Sequence, residues 1–495
     1  MMWKITSNKS TLIAMIAWLC ISACTDSERH DSDEPEPIEL RVMTFNIEWG
    51  GTNISFENVV RAIRLSNADI VGIQEAEGNL PRLAAELGWH YNSQNYAMSK
   101  FPILDPPNAS RLFVYVEVRP GQVVALANVH LPSDPSGTEF IRDGGLPDDV
   151  IELEKMVRLE SLKPFLEVLE PVVNNITPVF LTGDFNAPSH ADWTEDMVGA
   201  RPFLRYSVDW PVSRAIENAG FKDSWRDAHP NPKTDPGLTW WAGRPPLESY
   251  APGENDPQDR IDFVWFAGSA KVLSSQLVGE VGAENVALSV SPWPSDHRAV
   301  VSTFSVTPAA VPRLVSASRR IFDQDDDVAI VYRHAPNSRV EVGGISSDTV
   351  SDNGEQRFPA GTFSPGYYKV ALHTPGSETI GNDFWVVDKD ATPEVSVTRD
   401  TYESGEAIEI NWQNGPGNRN DYLGIYEVGI ESAYIPGYDG GLTWLYINAL
   451  PDGSILLDET TSEIAWPIPP GNYVARLMKD DGYDTLAESA PFVIR

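Results

Sequence analysis

Hydrophobic and polar positions fall into two textures along the chain. From Leu40 to about Phe304, short apolar runs alternate with amphipathic stretches and long loops. Arg41-Val42-Met43-Thr44-Phe45-Asn46 alternates with the period of a strand. Ser55 can cap a helix whose Phe56, Val59, Val60 and Ile63 share one face. Asp69-Ile70-Val71-Gly72-Ile73-Gln74-Glu75 reads as a buried strand ending in a carboxylate, and the runs from Val123 to His130 and Val179 to Asp184 also end in polar residues. Strands that stop at polar residues on one rim are how layered α/β folds build sites. After Thr307 helical periodicity disappears, and short β-rich runs with Gly/Pro turns and aromatics take over. This texture predicts β-sandwiches. Ser364-Pro365-Gly366-Tyr367-Tyr368 and Pro469-Pro470-Gly471-Asn472-Tyr473 each lead from a turn into an alternating strand, which predicts two tandem immunoglobulin-like units.

The 495 residues suit several domains, and 42% hydrophobic residues allow a sizeable core. We expect a fold of α/β class over residues 38–306, then all-β sandwich units over 307–390 and 391–495. The formal net charge of −34 repels polyanions and removes the broad electrostatic grip of nucleic-acid binders. It does not exclude a nuclease, because a bound metal supplies local positive charge.

Two cysteines, Cys20 and Cys24, leave no disulfide framework or zinc–cysteine site in the folded part. Lys4 and Lys9 precede the apolar run Leu12 to Leu19, too short to cross a bilayer, so residues 1–23 read as a signal peptide. Ile21-Ser22-Ala23-Cys24 resembles a bacterial lipobox. That resemblance implies cleavage before Cys24, lipid attachment to it, and an exported protein anchored in the cell envelope. Thr25 in the next position favours the outer membrane. Residues 24–37, polar, acidic and with prolines, read as a flexible tether.

Six short segments carry candidate chemistry: Phe45-Asn46-Ile47-Glu48, Gln74-Glu75, Asn128-Val129-His130-Leu131, Gly183-Asp184-Phe185-Asn186, Asp259-Arg260-Ile261-Asp262-Phe263 and Ser295-Asp296-His297. Asn46, Glu75, Asp184, Asn186, Asp262 and Asp296 offer hard oxygen ligands, which suit Mg²⁺, Mn²⁺ or Ca²⁺. His130 and His297 are candidate acid, base or phosphate-contact groups. Glu48 and Glu77 read as solvated neighbours. Taken singly each residue is ordinary; taken together and in order, the set points to phosphoester hydrolysis, which needs a polarised phosphoryl oxygen, an oriented water and a stabilised leaving group.

These ordered segments resemble the motifs of the endonuclease/exonuclease/phosphatase superfamily, which includes DNase I-like nucleases, abasic-site endonucleases, inositol-polyphosphate phosphatases and bacterial sphingomyelinases. The resemblance runs from about Glu39 to Val306. It implies a four-layered α/β sandwich with two packed sheets flanked by helices. It also implies a divalent metal on Glu75, with Asn46 and Asp296 near it. Asp184 matches the aspartate that orients or deprotonates the attacking water, and Asn186 its phosphate-contacting partner. Asp262 matches the acidic residue that pairs with the final histidine, His297. His130 stands where abasic-site endonucleases carry tyrosine, which argues against that repair role. Trp210 to Ala215, Gly220 to Ser224 and Pro236 to Trp240 resemble a branch of secreted bacterial members.

The expected substrate is a phosphoester: nucleic acid, nucleotide, phospholipid headgroup or inositol phosphate. A sphingomyelinase-like phospholipid phosphodiesterase is one alternative, although the apolar membrane-contact hairpin of sphingomyelinases is not evident. A catalytically dead surface adhesion or scaffold protein is another, and the complete residue set argues against it. Trp240, Trp241 and Trp293 either line a substrate rim or pack under loops. Asp323 to Asp327 reads as a solvated turn or a calcium loop. Trp412, Tyr422, Tyr426 and Trp444 read as sandwich core or as a face for a surface glycan or protein.

Overall fold

The computed structural model describes residues 36–107, 111–247, 256–349, 351–432, 442–462 and 466–495. Cys24, the signal-like residues and most of the tether lie outside the described residues. Two seven-stranded sheets form the centre of the first half. In the first, Ile38–Asn46 lies between Ala299–Val306, antiparallel to it, and Ile70–Gln74, parallel to it. In the second, Val179–Asp184 lies between Gln122–His130, parallel, and Asp262–Ala267, antiparallel.

The alternation read from the sequence becomes two faces. Leu40, Val42, Ile70, Val124, Leu126, Phe180, Val264 and Phe304 form the apolar layer between the sheets. On the outside of the first sheet, Met43, Phe45, Val71 and Ile73 pack against the helices Phe56–Ser66 and Leu80–Leu87. On the outside of the second, Val129, Leu181 and Phe263 pack against Glu160–Asn174 and Pro211–Asn218. The order helix, sheet, sheet, helix is the four-layered sandwich expected. Ser55 caps its helix as read, its hydroxyl accepting from the Asn58 amide at 3.2 Å. Phe56, Val59, Val60 and Ile63 are all buried.

A polar interlock crosses the apolar layer just beneath one rim. Gln74 Nε2 donates to Asn128 Oδ1 at 2.6 Å, Thr182 Oγ1 donates to the same oxygen at 3.0 Å, and Asn128 Nδ2 donates to the Ile73 carbonyl at 2.8 Å. Gly72 permits this approach, because a Cβ there would collide with Thr182 and Asn128. A fully satisfied buried network of this kind fixes one register between the sheets. It therefore fixes the strand ends that carry Glu75, His130 and Asp184 relative to one another.

Beyond Leu314 every regular element among the described residues is a β-strand. A three-stranded sheet (Leu314–Ala317, Val328–Arg333, Gly354–Phe358) faces a five-stranded one that contains Gly366–His373 and Ile380–Val387. Phe322, Ile330, Val370 and Phe384 lie between them. A second three-stranded sheet (Glu394–Val397, Ile408–Gln413, Gly453–Leu457) faces a six-stranded one containing Tyr422–Glu427 and Gly471–Met478. Ile410, Trp412, Ile425 and Leu477 are in that core. Both Pro-Gly turns noted in the sequence open a strand of the larger sheet, at Gly366 and Gly471.

Trp412, Tyr422 and Tyr426 are buried, which answers the choice between core and binding face for these three; Trp444 is half-buried. Two cations offset part of the charge of the Asp323 to Asp327 turn: Arg319 pairs with Asp326, and Lys389 with Asp323 and Asp325. The sandwiches are tied to the α/β half. Ala309–Ala310 adds to the Gln122–His130 strand, Arg320 pairs with Asp105 at 3.1 Å, and Arg333 pairs with Glu117 at 2.5 Å. Residues Glu36–Arg495 form one compact unit. No helix among the described residues is long and apolar enough to cross a membrane.

Candidate active site

All eight site residues expected within the folded part meet at one rim of the paired sheets. The centre is Asp184, at the end of a fully buried strand and 1% exposed. Its Oδ2 lies 3.6 Å from His130 Nε2 and 3.6 Å from His297 Nε2, and it accepts from Asn46 Nδ2 at 3.1 Å. Asn46 Nδ2 also donates to Glu75 Oε1 at 2.8 Å. One amide thus couples the candidate water-activating carboxylate to the candidate metal carboxylate. His130 Nε2 stands 3.9 Å from Glu75 Oε1. The floor is buried, whereas His130 and Glu75 remain about a quarter exposed, at 25% and 23% of their side chains.

His297 is held from both ends. Nδ1 faces Asp262 Oδ2 at 2.9 Å, which leaves Nε2 toward Asp184. Asp262 and Asp184 are direct partners across antiparallel strands, so the pairing is set by sheet register. Burial pushes the His297 imidazole down, but Asp262, Asp184 and Asp296 outweigh it and hold its pKa well above the ordinary value. Burial pushes the Asp184 carboxyl up and Asp262 adds to this, while His297 and His130 draw it down; the net direction is up. Asp296 is likewise raised, first by burial and then by Glu75.

The loop ends are pinned from behind. Ser295 Oγ donates to the Asn46 carbonyl at 2.7 Å and accepts from the His297 amide at 3.0 Å. Thr239 Oγ1 accepts from the Ile261 and Asp262 amides at 3.0 and 3.1 Å. Arg260, inside the Asp-Arg-Ile-Asp motif, turns away from the cleft onto Asp192 and Asp223, each at 2.7 Å. Burial pushes the Asp192 carboxyl up, but Arg260 and Arg226 prevail and hold it below the usual range. Breaking one partner of such a buried pair strands a charge, at about 3–5 kcal/mol, so the network fixes the segment that carries Asp262.

Several residues differ from their sequence reading. Glu48 is not a solvated neighbour: it is buried, pairs with Arg244 Nε at 2.6 Å and accepts from the Asp296 amide at 3.0 Å. Burial, then Asp296, raises its carboxyl to about 7. Its partner Arg244 lies far along the chain in an ordinary loop, with no motif to announce it. Glu77 is half-buried, and burial followed by the charges of Glu75, Asp480, Asp481 and Asp484 raises it to about 8. Trp293 is core, stacked on Phe45 at 5.3 Å. Trp240 is at the site, its Nε1 donating to Asp296 Oδ2 at 3.3 Å. Asn186 Nδ2 donates to the Leu131 carbonyl at 2.9 Å, so this amide also braces the His130 loop. Glu75 and Asn186 both take left-handed backbone, φ 54° and 48°, which is uncommon outside glycine and concentrates at functional sites.

The donor set fits a hard divalent cation. Glu75, Asn46 and Asp296 offer carboxylate and amide oxygens, and among the described residues Asp296 Oδ1 and Glu48 Oε1 are buried without a hydrogen-bond partner. Asp184, Asp262 and His297 also offer ligand atoms within 4.8 Å of one another. In that second group Asp262 and His297 are already bonded to each other. The first set, with its open rim, is the better match.

Residues 43–297, just over half the chain, match the model of the Endonuclease/Exonuclease/phosphatase family, and the chain belongs to that family. An uncharacterized protein from Caenorhabditis elegans is 28% identical over 300 residues, covering 54% of this chain and 91% of that one. Among solved structures, truncated Caenorhabditis elegans TDP2 aligns at 18% identity over 54% of this chain and 98% of its own, with a TM-score of 0.34. The mannosyl-6-phosphatase of Bacteroides thetaiotaomicron aligns at 14% identity over 54% and 99%, with a TM-score of 0.30.

Proposed function

We propose that this protein is a divalent-metal-dependent phosphoester hydrolase, a phosphodiesterase or phosphatase with nuclease-like chemistry. The observation that carries the reading is the convergence of His130 and His297 on one buried carboxylate, Asp184, with Glu75 beside them at the open rim. Asp184 is placed to orient a water and take its proton. Asp262 holds the His297 imidazole so that Nε2 faces the reacting centre. There His297 and His130 stabilise charge building on the phosphoryl oxygens, and either can hand a proton to the leaving oxygen. Glu75, Asn46 and Asp296 would hold the cation, which supplies Lewis-acid polarisation of a phosphoryl oxygen when bound. Turnover of bis-p-nitrophenyl phosphate in Mg²⁺ or Mn²⁺, abolished by EDTA and restored by metal, is the expected result. No turnover with any divalent metal would leave the fold without its chemistry.

The reading extends to location. Lipid attachment at Cys24 would place the enzyme at the cell envelope, on the strength of the signal-like residues before it. Cys24→Ala is expected to yield a soluble or unprocessed protein, whereas the wild type partitions into the detergent phase. Wild-type protein in the aqueous phase would refute anchoring.

A further inference from the structure

The last β-sandwich reaches the catalytic rim through two turns at one end of its larger sheet. Tyr422 and Met478 face each other across the antiparallel strands Tyr422–Glu427 and Gly471–Met478. The turn before one strand therefore lies beside the turn after the other. Buried Asp421 joins them, accepting from the Asn418 amide at 2.8 Å and the Asp480 amide at 3.0 Å. Asp480 in turn accepts from the Asn420 amide at 3.4 Å. Arg419 and Asp480 thus stand on one braced support.

Both residues bond to the α/β half. Arg419 Nη1 donates to the Asn128 carbonyl at 3.2 Å, two residues before His130. The neighbouring strand Val114–Arg119 covers the His130 strand only as far as Leu126, so the Asn128 carbonyl faces an edge that the second sheet leaves open. The Arg419 guanidinium also lies 5.8 Å from the ring centroid of Tyr96 and 5.4 Å from that of Phe165, within reach of cation–π attraction. Asp480 accepts from the Tyr96 hydroxyl and from the Gly78 amide, three residues after Glu75. The Tyr96 carbonyl accepts from the Ile73 amide at 2.9 Å, two residues before Glu75. Asn128 already ties the two sheets together through its side chain, and His130, two residues on, projects from the same face of the strand. Holding the Asn128 carbonyl as well restrains the peptide plane that follows it, and so the direction in which the strand delivers His130 to Asp184, 3.6 Å away.

We propose that the last β-sandwich is a working part of the active site, with Arg419 a positioning residue that holds His130 in place opposite Asp184. This rests on the phosphoester-hydrolase reading above and assigns a positioning residue outside the family segment 43–297. Arg419 acts through His130 and does not touch the reacting atoms. Its contribution should therefore vanish when the imidazole it places is gone.

The test is a double-mutant cycle on the full chain, with bis-p-nitrophenyl phosphate as substrate at saturating Mg²⁺. Arg419→Met keeps an apolar stem over the two rings and removes the donor. It is expected to lower kcat by about 10-fold, the scale of a displacement well under 1 Å at a catalytic group. KM should stay within about 2-fold of wild type, because the lost contact is one that strengthens in the transition state. In a His130→Ala background the same substitution should change kcat by less than about 2-fold. Arg419→Gln, neutral and too short to reach the carbonyl from the same backbone, runs the same cycle if Arg419→Met does not fold. Equal fold-losses with and without the His130 imidazole, or wild-type kcat in a folded Arg419 variant, overturn the positioning role and leave the phosphoester reading intact. Wild-type protein that does not turn over the diester overturns both.

Discussion

His297→Ala is expected to lower kcat by about 10² to 10⁴-fold on a phosphodiester, with KM little changed, because on the proposed mechanism its contact strengthens as charge develops on phosphorus. The physical basis is the geometry of its two nitrogens. Nδ1 is fixed on Asp262 at 2.9 Å, and Nε2 is directed at Asp184. Asp262→Asn is expected to cause a smaller loss of the same kind, since the imidazole keeps its place but loses the charge that orients and supports it. Steady-state kinetics on folded protein, verified by thermal melt, measures both. His297→Ala retaining more than about a tenth of wild-type kcat would remove it from the catalytic machinery.

Glu75→Gln is expected to raise the Mg²⁺ or Mn²⁺ concentration needed for half activity by at least about 10- to 100-fold, the range seen when even outer partners of a metal site are lost. Glu75 is the most exposed carboxylate of the proposed ligand set, and both its oxygens are already positioned, Oε1 by Asn46 and Oε2 by the Trp49 amide at 3.0 Å. The swap keeps the shape but turns one acceptor oxygen into a donor, so the change reports the charge and one lost hydrogen bond rather than packing. Saturating metal should recover much of the lost rate. Direct titration of metal binding gives the same comparison without turnover. An unchanged metal response in Glu75→Gln would assign the cation to another set of ligands, with Asp184, Asp262 and His297 the next candidates.

Much of the site was legible in the sequence because its residues sit at strand ends, where periodic runs visibly stop. Asn46, Glu75, His130 and Asp184 each end or directly follow a buried run, and Asp262 begins one. Order along the chain then did what no single residue could. The helix opened by Ser55 and the change of texture after Thr307 were legible for the same reason: capping and periodicity act over a few residues, so the sequence displays them directly. The readings that failed concern charge far from its partner. Glu48 looked solvated because Arg244 is almost 200 residues away, and nothing local marks either as half of a buried pair. Gln74 and Asn128 were visible as motif members, but their work in locking two sheets together depends on a register set by the whole layer between them.

The sequence by itself therefore determined the class of fold, the chemical types gathered for phosphoester hydrolysis and the strand ends on which they sit. Apolar period and ligand type are properties of short segments. Tertiary structure alone decided which carboxylate faces which imidazole, which arginine pairs with Glu48, and that a β-sandwich beyond the family segment reaches the rim through Arg419 and Asp480. Those outcomes depend on packing of whole layers, where burial makes each charge seek a partner wherever in the chain that partner lies.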